Sequence, residues 1–189
     1  PHERMSELVM EPHHLTCIDI VTSSHNHTDH LDAETLVPIL SANPEIEFII
    51  PEANREFVAE RVGCPRNFPI GLTDGDIRKV KGFTFHGIPA AHNEIERDEQ
   101  GRCKYMGYVV QFGKFSVYHS GDTLWYDEMV GLLKPFHVHV AFLSCPFSFC
   151  CAFCSVATLR AAQSLSYGFR HCVRHLTRHR CGRAYLCGM

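Results

Sequence analysis

Seven consecutive residues, Ser24-His25-Asn26-His27-Thr28-Asp29-His30, gather three imidazoles and a carboxylate, and a second carboxylate, Asp32, follows two positions later. His25 and His27 are two apart, as are His27 and Asp29. On a loop leaving a strand, that spacing lets alternate side chains converge on one point. Asp29 and His30 then offer two more donors towards a neighbouring point. Imidazole with carboxylate is the donor set expected for zinc, manganese or iron. Two such ions a few ångströms apart would share a water that loses its proton near neutral pH and becomes a nucleophile. The alternative is a polar, solvent-exposed turn that happens to be rich in histidine.

Two further segments bear on the choice. Ile88-Pro89-Ala90-Ala91-His92-Asn93-Glu94 places a histidine after a strand, and Tyr118-His119-Ser120-Gly121-Asp122-Thr123 places a carboxylate beside a glycine at a strand end. Alone, either would be ordinary: a lone His is more often a surface or core residue, and Ser-Gly-Asp-Thr is a common turn. A glycine does, however, let backbone approach closely enough for Asp122 to reach a metal pair.

The elements that must position these groups follow from the apolar pattern. Residues 17–22 read as a β-branched strand running straight into the His-rich segment. Asp32 is placed to cap a helix reaching about Ser41, which Asn43-Pro44 ends. Residues 47–50 read as a buried strand. Residues 52–62 read as one helix with Phe57, Val58 and Val62 on a shared face, stopped by Gly63. Thr73-Asp74-Gly75-Asp76 is a turn, and residues 80–88 read as a single strand. Residues 105–112 and 115–118 flank Gly113-Lys114 as a hairpin. A short helix at 127–133 and a strand at 138–143 complete the body. Such alternation predicts an α/β fold in which sheets are covered by helices.

The chain's 189 residues and 45% hydrophobic content suffice for one domain with a sizeable core. No apolar run approaches the roughly 20 residues a spanning helix needs, and Pro1-His2-Glu3-Arg4 carries no signal-peptide pattern. The first residue is not Met, so the chain reads as a fragment. Three scattered thiols, Cys17, Cys64 and Cys103, suit a reducing, cytoplasmic setting. The first 144 residues hold 12 basic against 21 acidic residues, a balance of −9. That argues against a nucleic-acid surface.

In order and in strand-end context, the three segments resemble the metallo-β-lactamase superfamily over roughly residues 15–143. The stretches His92-Asn93-Glu94, Gly107-Tyr108-Val109-Val110 and Tyr118 to Thr123 look most like the branch related to L-ascorbate-6-phosphate lactonase. The resemblance implies an αββα sandwich. It implies that His25, His27 and His92 hold one divalent ion, that Asp29 and His30 belong to a second, and that Asp122 bridges both. Asp29 would also orient the nucleophile, and Asp32 and Glu94 are candidates to fix histidine tautomers. The implied activity is hydrolysis of a lactone or phosphoester in a small metabolite by a metal-activated hydroxide. No nucleic-acid or membrane partner is implied.

The chain departs from the family pattern at both ends. Only 24 residues precede His25, with no clear strand pair among residues 1–14, so part of the first sheet is expected to be missing. From Cys145 to Met189 there are seven cysteines, six arginines and no Lys, Asp or Glu. The organisation expected is therefore a partial hydrolase domain, 1–143, and an atypical tail, 144–189, that reads as an altered terminus. Within that tail, Cys151-x-x-Cys154 is a weak zinc or redox pattern. Its Arg-His pairs, recurring at Arg170-His171, Arg174-His175 and Arg178-His179, read as a basic stripe. The family's final histidine ligand has no counterpart, which predicts a weak second metal site. The competing expectation is a truncated, catalytically impaired member that retains metal binding only. A nuclease reading shares the His motif but would need a basic groove in the body.

Overall fold

The computed structural model describes residues 8–144 and 155–158. Three short parallel strands, β1 (Ile20–Thr22), β2 (Glu47–Pro51) and β3 (Ile70–Leu72), form a small sheet in that order. Its crossovers are α1 (Ala33–Ala42) and α2 (Arg55–Val62). The larger sheet runs β4 (Ile77–Val80), β5 (Phe83–Pro89), β6 (Met106–Phe112), β7 (Phe115–His119), β8 (Val140–Leu143) and β9 (Ser155–Thr158). It is antiparallel except where β8 runs parallel to β7 after the crossover helix α3 (Met129–Leu133). Strand β9, from the segment read as an atypical tail, pairs with β8 at the sheet edge. The Cys151-x-x-Cys154 and Arg-His patterns lie outside the described residues.

Side-chain alternation explains the layers. In β2, Phe48 and Ile50 face the helices, clustering with Leu31, Leu36, Val58 and Val62. Ile49, between them, points the other way and meets Leu72, Phe85, Met106 and Tyr108 between the two sheets. In β6, Met106 and Tyr108 face that inner layer, whereas Val109 joins Ile88, Tyr118, Met129 and Leu133 beneath α3. Successive side chains of a strand point to opposite faces, so both strands contribute to two cores at once. The layer order is helix, sheet, sheet, helix. Phe48, Ile49 and Ile50 are fully buried, each stabilising the fold by about 1.5–3 kcal/mol.

Asp32 caps α1 as its position predicts, accepting from the Glu34 amide at 3.1 Å and from the Thr35 hydroxyl. Asn43 closes the other end. Its amide donates to the Ile39 and Leu15 carbonyls, and its oxygen accepts from the Ile18 amide at 3.0 Å. One buried side chain thus ends a helix and pins the segment leading into β1. Gly63, at φ 67°, stops α2 in the left-handed conformation that glycine tolerates.

Three expectations need correction. Residues 52–62 are not one α-helix: Glu52–Asn54 is a 3-10 turn preceding α2. Glu52 is gripped by Nε and Nη2 of Arg55, and Asn54 donates to the Lys104 carbonyl, which holds that turn in the tighter form. Residues 80–88 are not one strand. Lys81 (φ 46°) and Gly82 (φ 85°) make a two-residue hairpin turn between β4 and β5, with Val80 opposite Phe83. Strand β3 has no counterpart in the sequence reading. Phe57 does not share the core with Val58 and Val62; it is 39% exposed. Among the described residues no helix is long and apolar enough to cross a membrane.

Candidate metal centre

The loop from Ser23 to Leu31 leaves β1 and is held by the residues between its histidines. The Ser23 amide donates to Ile49 of the small sheet, and its carbonyl accepts from the buried Tyr108 hydroxyl of the large one at 2.8 Å. Its hydroxyl reaches the His25 and His30 carbonyls at 2.8 and 3.0 Å, closing the loop on itself. The Ser24 carbonyl accepts from the Met106 amide. Leu31 is fully buried beneath α1 and α2 and fastens the far end. The loop is therefore tied to both sheets as a fixed platform.

On this platform His25 Nε2 lies 3.0 Å from His27 Nδ1 and 3.9 Å from an Asp122 oxygen, while His30 Nε2 lies 3.1 Å from the same Asp122 oxygen. Two groups of three converge. One donor atom from each of His25, His27 and His92 lies within 4.8 Å of the others, and so does one from each of His25, His30 and Asp122. Asp29 is in neither group. Its carboxylate is half exposed, 3.5 Å from His30 Nε2. Asp32 is committed to the α1 cap, and Glu94 is exposed. The second nitrogens of His25 and His30 meet Ser24 instead, whose hydroxyl is 3.0 and 3.1 Å from their Nδ1 atoms.

His92 and Asp122 arrive on neighbouring loops that are tied together. The Ala91 amide donates to the Thr123 hydroxyl, and the Leu124 amide donates to the Ala91 carbonyl. Gly121 is what lets the second loop in. Its φ is 59°, and a Cβ there would lie 2.6 Å from the Met106 carbonyl oxygen and 2.9 Å from Ser24 Cβ. Tyr105 lies against the His92 ring, centroids 5.0 Å apart at 28°. The supporting roles of Ser23, Ser24 and Tyr105 are not legible in the sequence, because nothing in their types or spacing announces which rings and carbonyls they meet.

The electrostatics suit cation binding. Burial, then the neighbouring His30, push the His25 imidazole down to about 3, so it is neutral with a lone pair free. Burial opposes protonation of His30, but the hydrogen bond and charge of Asp122, with Asp29, outweigh it and raise the group. The His30 hydrogen bond holds Asp122 below its ordinary value against burial. A cation would replace the proton shared by that pair. Donors held at about 2.1 Å in a tetrahedron lie about 3.4 Å from each other, within the spacing seen here. His25, however, serves both groups through the one nitrogen not facing Ser24, and one lone pair binds one ion.

Beside the cluster lies an open cleft of about 700 Å³, lined by His27, Asp29, His92 and Asp122 from the loops and by Phe57 and Arg61 from α2.

A family model described as β-lactamase superfamily domain matches residues 2–145. The chain is 24% identical over 136 residues to the probable L-ascorbate-6-phosphate lactonase UlaG of Salmonella paratyphi B, covering 65% of this chain and 38% of that protein. It thus spans well under half the length of the curated relatives it matches. Among solved structures, it is similar to an isothiocyanate hydrolase from Delia radicum gut bacteria, with TM-score 0.53 and 25% identity over 72% of this chain and 52% of that one. A possible metal-dependent hydrolase from Veillonella parvula gives TM-score 0.55 at 20% identity, with the same coverage.

Proposed function

The chain belongs to the β-lactamase superfamily, and on that premise we propose that it hydrolyses a lactone or phosphoester of a small metabolite. One observation carries this reading: four imidazoles and the Asp122 carboxylate converge from three separate loops, and His27, His92 and Asp122 of that cluster line an open cleft. His25, His27 and His92 would hold one divalent cation, and His30 and Asp122 a second, with zinc, manganese and iron all suited to the donors. Such cations would supply Lewis acidity towards a carbonyl or phosphoryl oxygen and acidify a water.

The chain's own residues do the remaining work. Ser24 faces the Nδ1 atoms of His25 and His30, which leaves each ring to turn Nε2 towards Asp122 and the cluster. Gly121 admits Asp122 to the cluster. Asp29, half exposed at the cleft wall, is placed to accept a proton from an attacking water or to orient it. The acidic balance of the first 144 residues supports a small-molecule substrate over a nucleic acid. Similarity to a probable L-ascorbate-6-phosphate lactonase supports the lactone arm.

A second reading is favoured by the shared His25: a chain that holds one ion firmly and turns over nothing. The test is to purify the chain, measure bound metal, and assay lactone and phosphodiester substrates beside His27→Ala and Asp122→Ala. Stoichiometric metal with hydrolysis lost in both variants supports the first reading. Metal without any variant-sensitive hydrolysis leaves only the second, and no metal at all sinks both.

A further inference from the structure

Arg61 lines the same cleft as His27 and His92, and its surroundings are unlike those of most arginines in this fold. Arg55, Arg66, Arg97 and Arg102 each lie within 4 Å of a carboxylate. Among the described residues Arg61 has no such partner, although Asp29 and Asp122 line the same cleft. Its position is nevertheless fixed. Nη1 donates to the Asn26 carbonyl at 2.7 Å, and the guanidinium lies over the Phe57 ring, 4.4 Å from its centroid. Phe57 and Arg61 are four apart on α2, hence neighbours on one helix face. Asn26 lies between His25 and His27, so the cation is tied to the loop that carries the cluster. Nε and Nη2 have no hydrogen-bond partner among the described residues.

We propose that Arg61 is an anion-recognition residue: it binds a phosphate or carboxylate group carried by the substrate at a position remote from the scissile bond, and so selects anionic substrates. A planar guanidinium with two unused donor positions suits a bidentate contact with either group. The Phe57 ring and the Asn26 carbonyl hold it beforehand, so little side-chain freedom remains to be lost on binding. The inference deepens the hydrolase reading above and rests on it for the word substrate, but the anion site itself is measurable without turnover.

The experiment titrates the metal-free full chain with inorganic phosphate, and separately with acetate, at low ionic strength by calorimetry, beside Arg61→Gln and Arg61→Lys. Phosphate affinity should fall about tenfold or more in Arg61→Gln, and by less in Arg61→Lys, which keeps a charge but not the fork. The same pattern with acetate instead would assign the site to a carboxylate. If the wild-type chain binds neither anion, or Arg61→Gln binds both as well as wild type, the proposal is wrong. Phe57→Leu guards against misfolding at position 61: it keeps Arg61 but removes its ring, and should weaken the same anion by a smaller factor. Should turnover be found, Arg61→Gln should raise KM for an anionic lactone with kcat little changed, and leave a neutral lactone unaffected. Equal losses on both would also overturn the proposal. Anion binding without any hydrolysis would sink the hydrolase reading and keep the site.

Discussion

Around Glu52 and Asp74, each carboxylate faces a guanidinium. Arg55 grips Glu52 with two donors at 2.8 and 2.7 Å, Arg97 grips Asp74 at 3.0 and 2.9 Å, and Arg102 reaches Asp98 at 2.7 Å. At the end of β1, by contrast, His25 is packed against His27, His30 and His92, with ring centroids 4.6, 4.2 and 5.8 Å away. Like meets like there, and burial holds the central ring uncharged. The first arrangement satisfies itself and needs nothing further. The second gathers lone pairs around a common point, at a cost in desolvation and mutual repulsion that a bound cation would repay. The contrast separates a structural charge network from a binding one, although both are rich in titratable groups.

The sharpest way to break the comparison is Asp122→Ala. It should lower metal affinity and any hydrolysis by more than about 100-fold, since even outer partners of metal sites are worth 10–100-fold. Metal content after dialysis and an activity assay would check this. Ser24→Ala comes next. It should weaken metal by about 10–100-fold while the far-ultraviolet circular dichroism stays unchanged; unaltered affinity would show that the rings are held by packing alone. Gly121→Ala forces a side chain into a left-handed backbone against Met106 and Ser24. It should destabilise the chain by about 1–3 kcal/mol, read from denaturant midpoints, and lower metal content along with stability.

The smallest effect belongs to the other cluster. Asp74→Asn should cost under about 1 kcal/mol, because Arg97 is well exposed and water screens the pair. It should leave metal content untouched. The Arg97 hydrogen bond depresses the Asp74 carboxyl. Its stabilising contribution is therefore present above the ordinary carboxylate value and lost as pH falls through the folded value. The difference between wild type and variant should vanish in acid; a difference that persisted there would mean the pair is not its source.

Local signals made much of this fold legible. Asp32 and Gly63 mark helix ends as their types demand, and Gly113 marks the β6–β7 turn. The Lys81-Gly82 turn was hidden because lysine rarely takes a positive φ, so residues 80–88 read as one strand. In the site, the spacing of His25, His27 and His30 and the strand-end setting of His92 and Asp122 pointed to residues that the fold does bring together. Their supports were not legible. Ser24 acts on a ring six residues away, Tyr108 on a carbonyl 85 positions earlier, and Asn54 on one 50 positions later. The first is set by how the loop closes on itself, and the other two by how distant segments are packed together. Phe57 and Arg61 could have been found, since their i,i+4 spacing puts them on one face of α2.

The Ser24 hydroxyl has a single hydrogen, yet it faces Nδ1 of two rings. With His30 giving its Nε2 proton to Asp122 and otherwise neutral, its Nδ1 must receive the serine hydrogen. His25 must then offer its own Nδ1 proton to the serine oxygen, which leaves its Nε2 bare. With His30 neutral, the two histidines therefore take opposite tautomers about one O–H bond. Once both Nε2 atoms are committed to cations, both Nδ1 atoms carry hydrogens, the serine can only accept, and its hydrogen must swing away. For a neutral His30, the orientation of that one hydroxyl would differ between the empty and the loaded site.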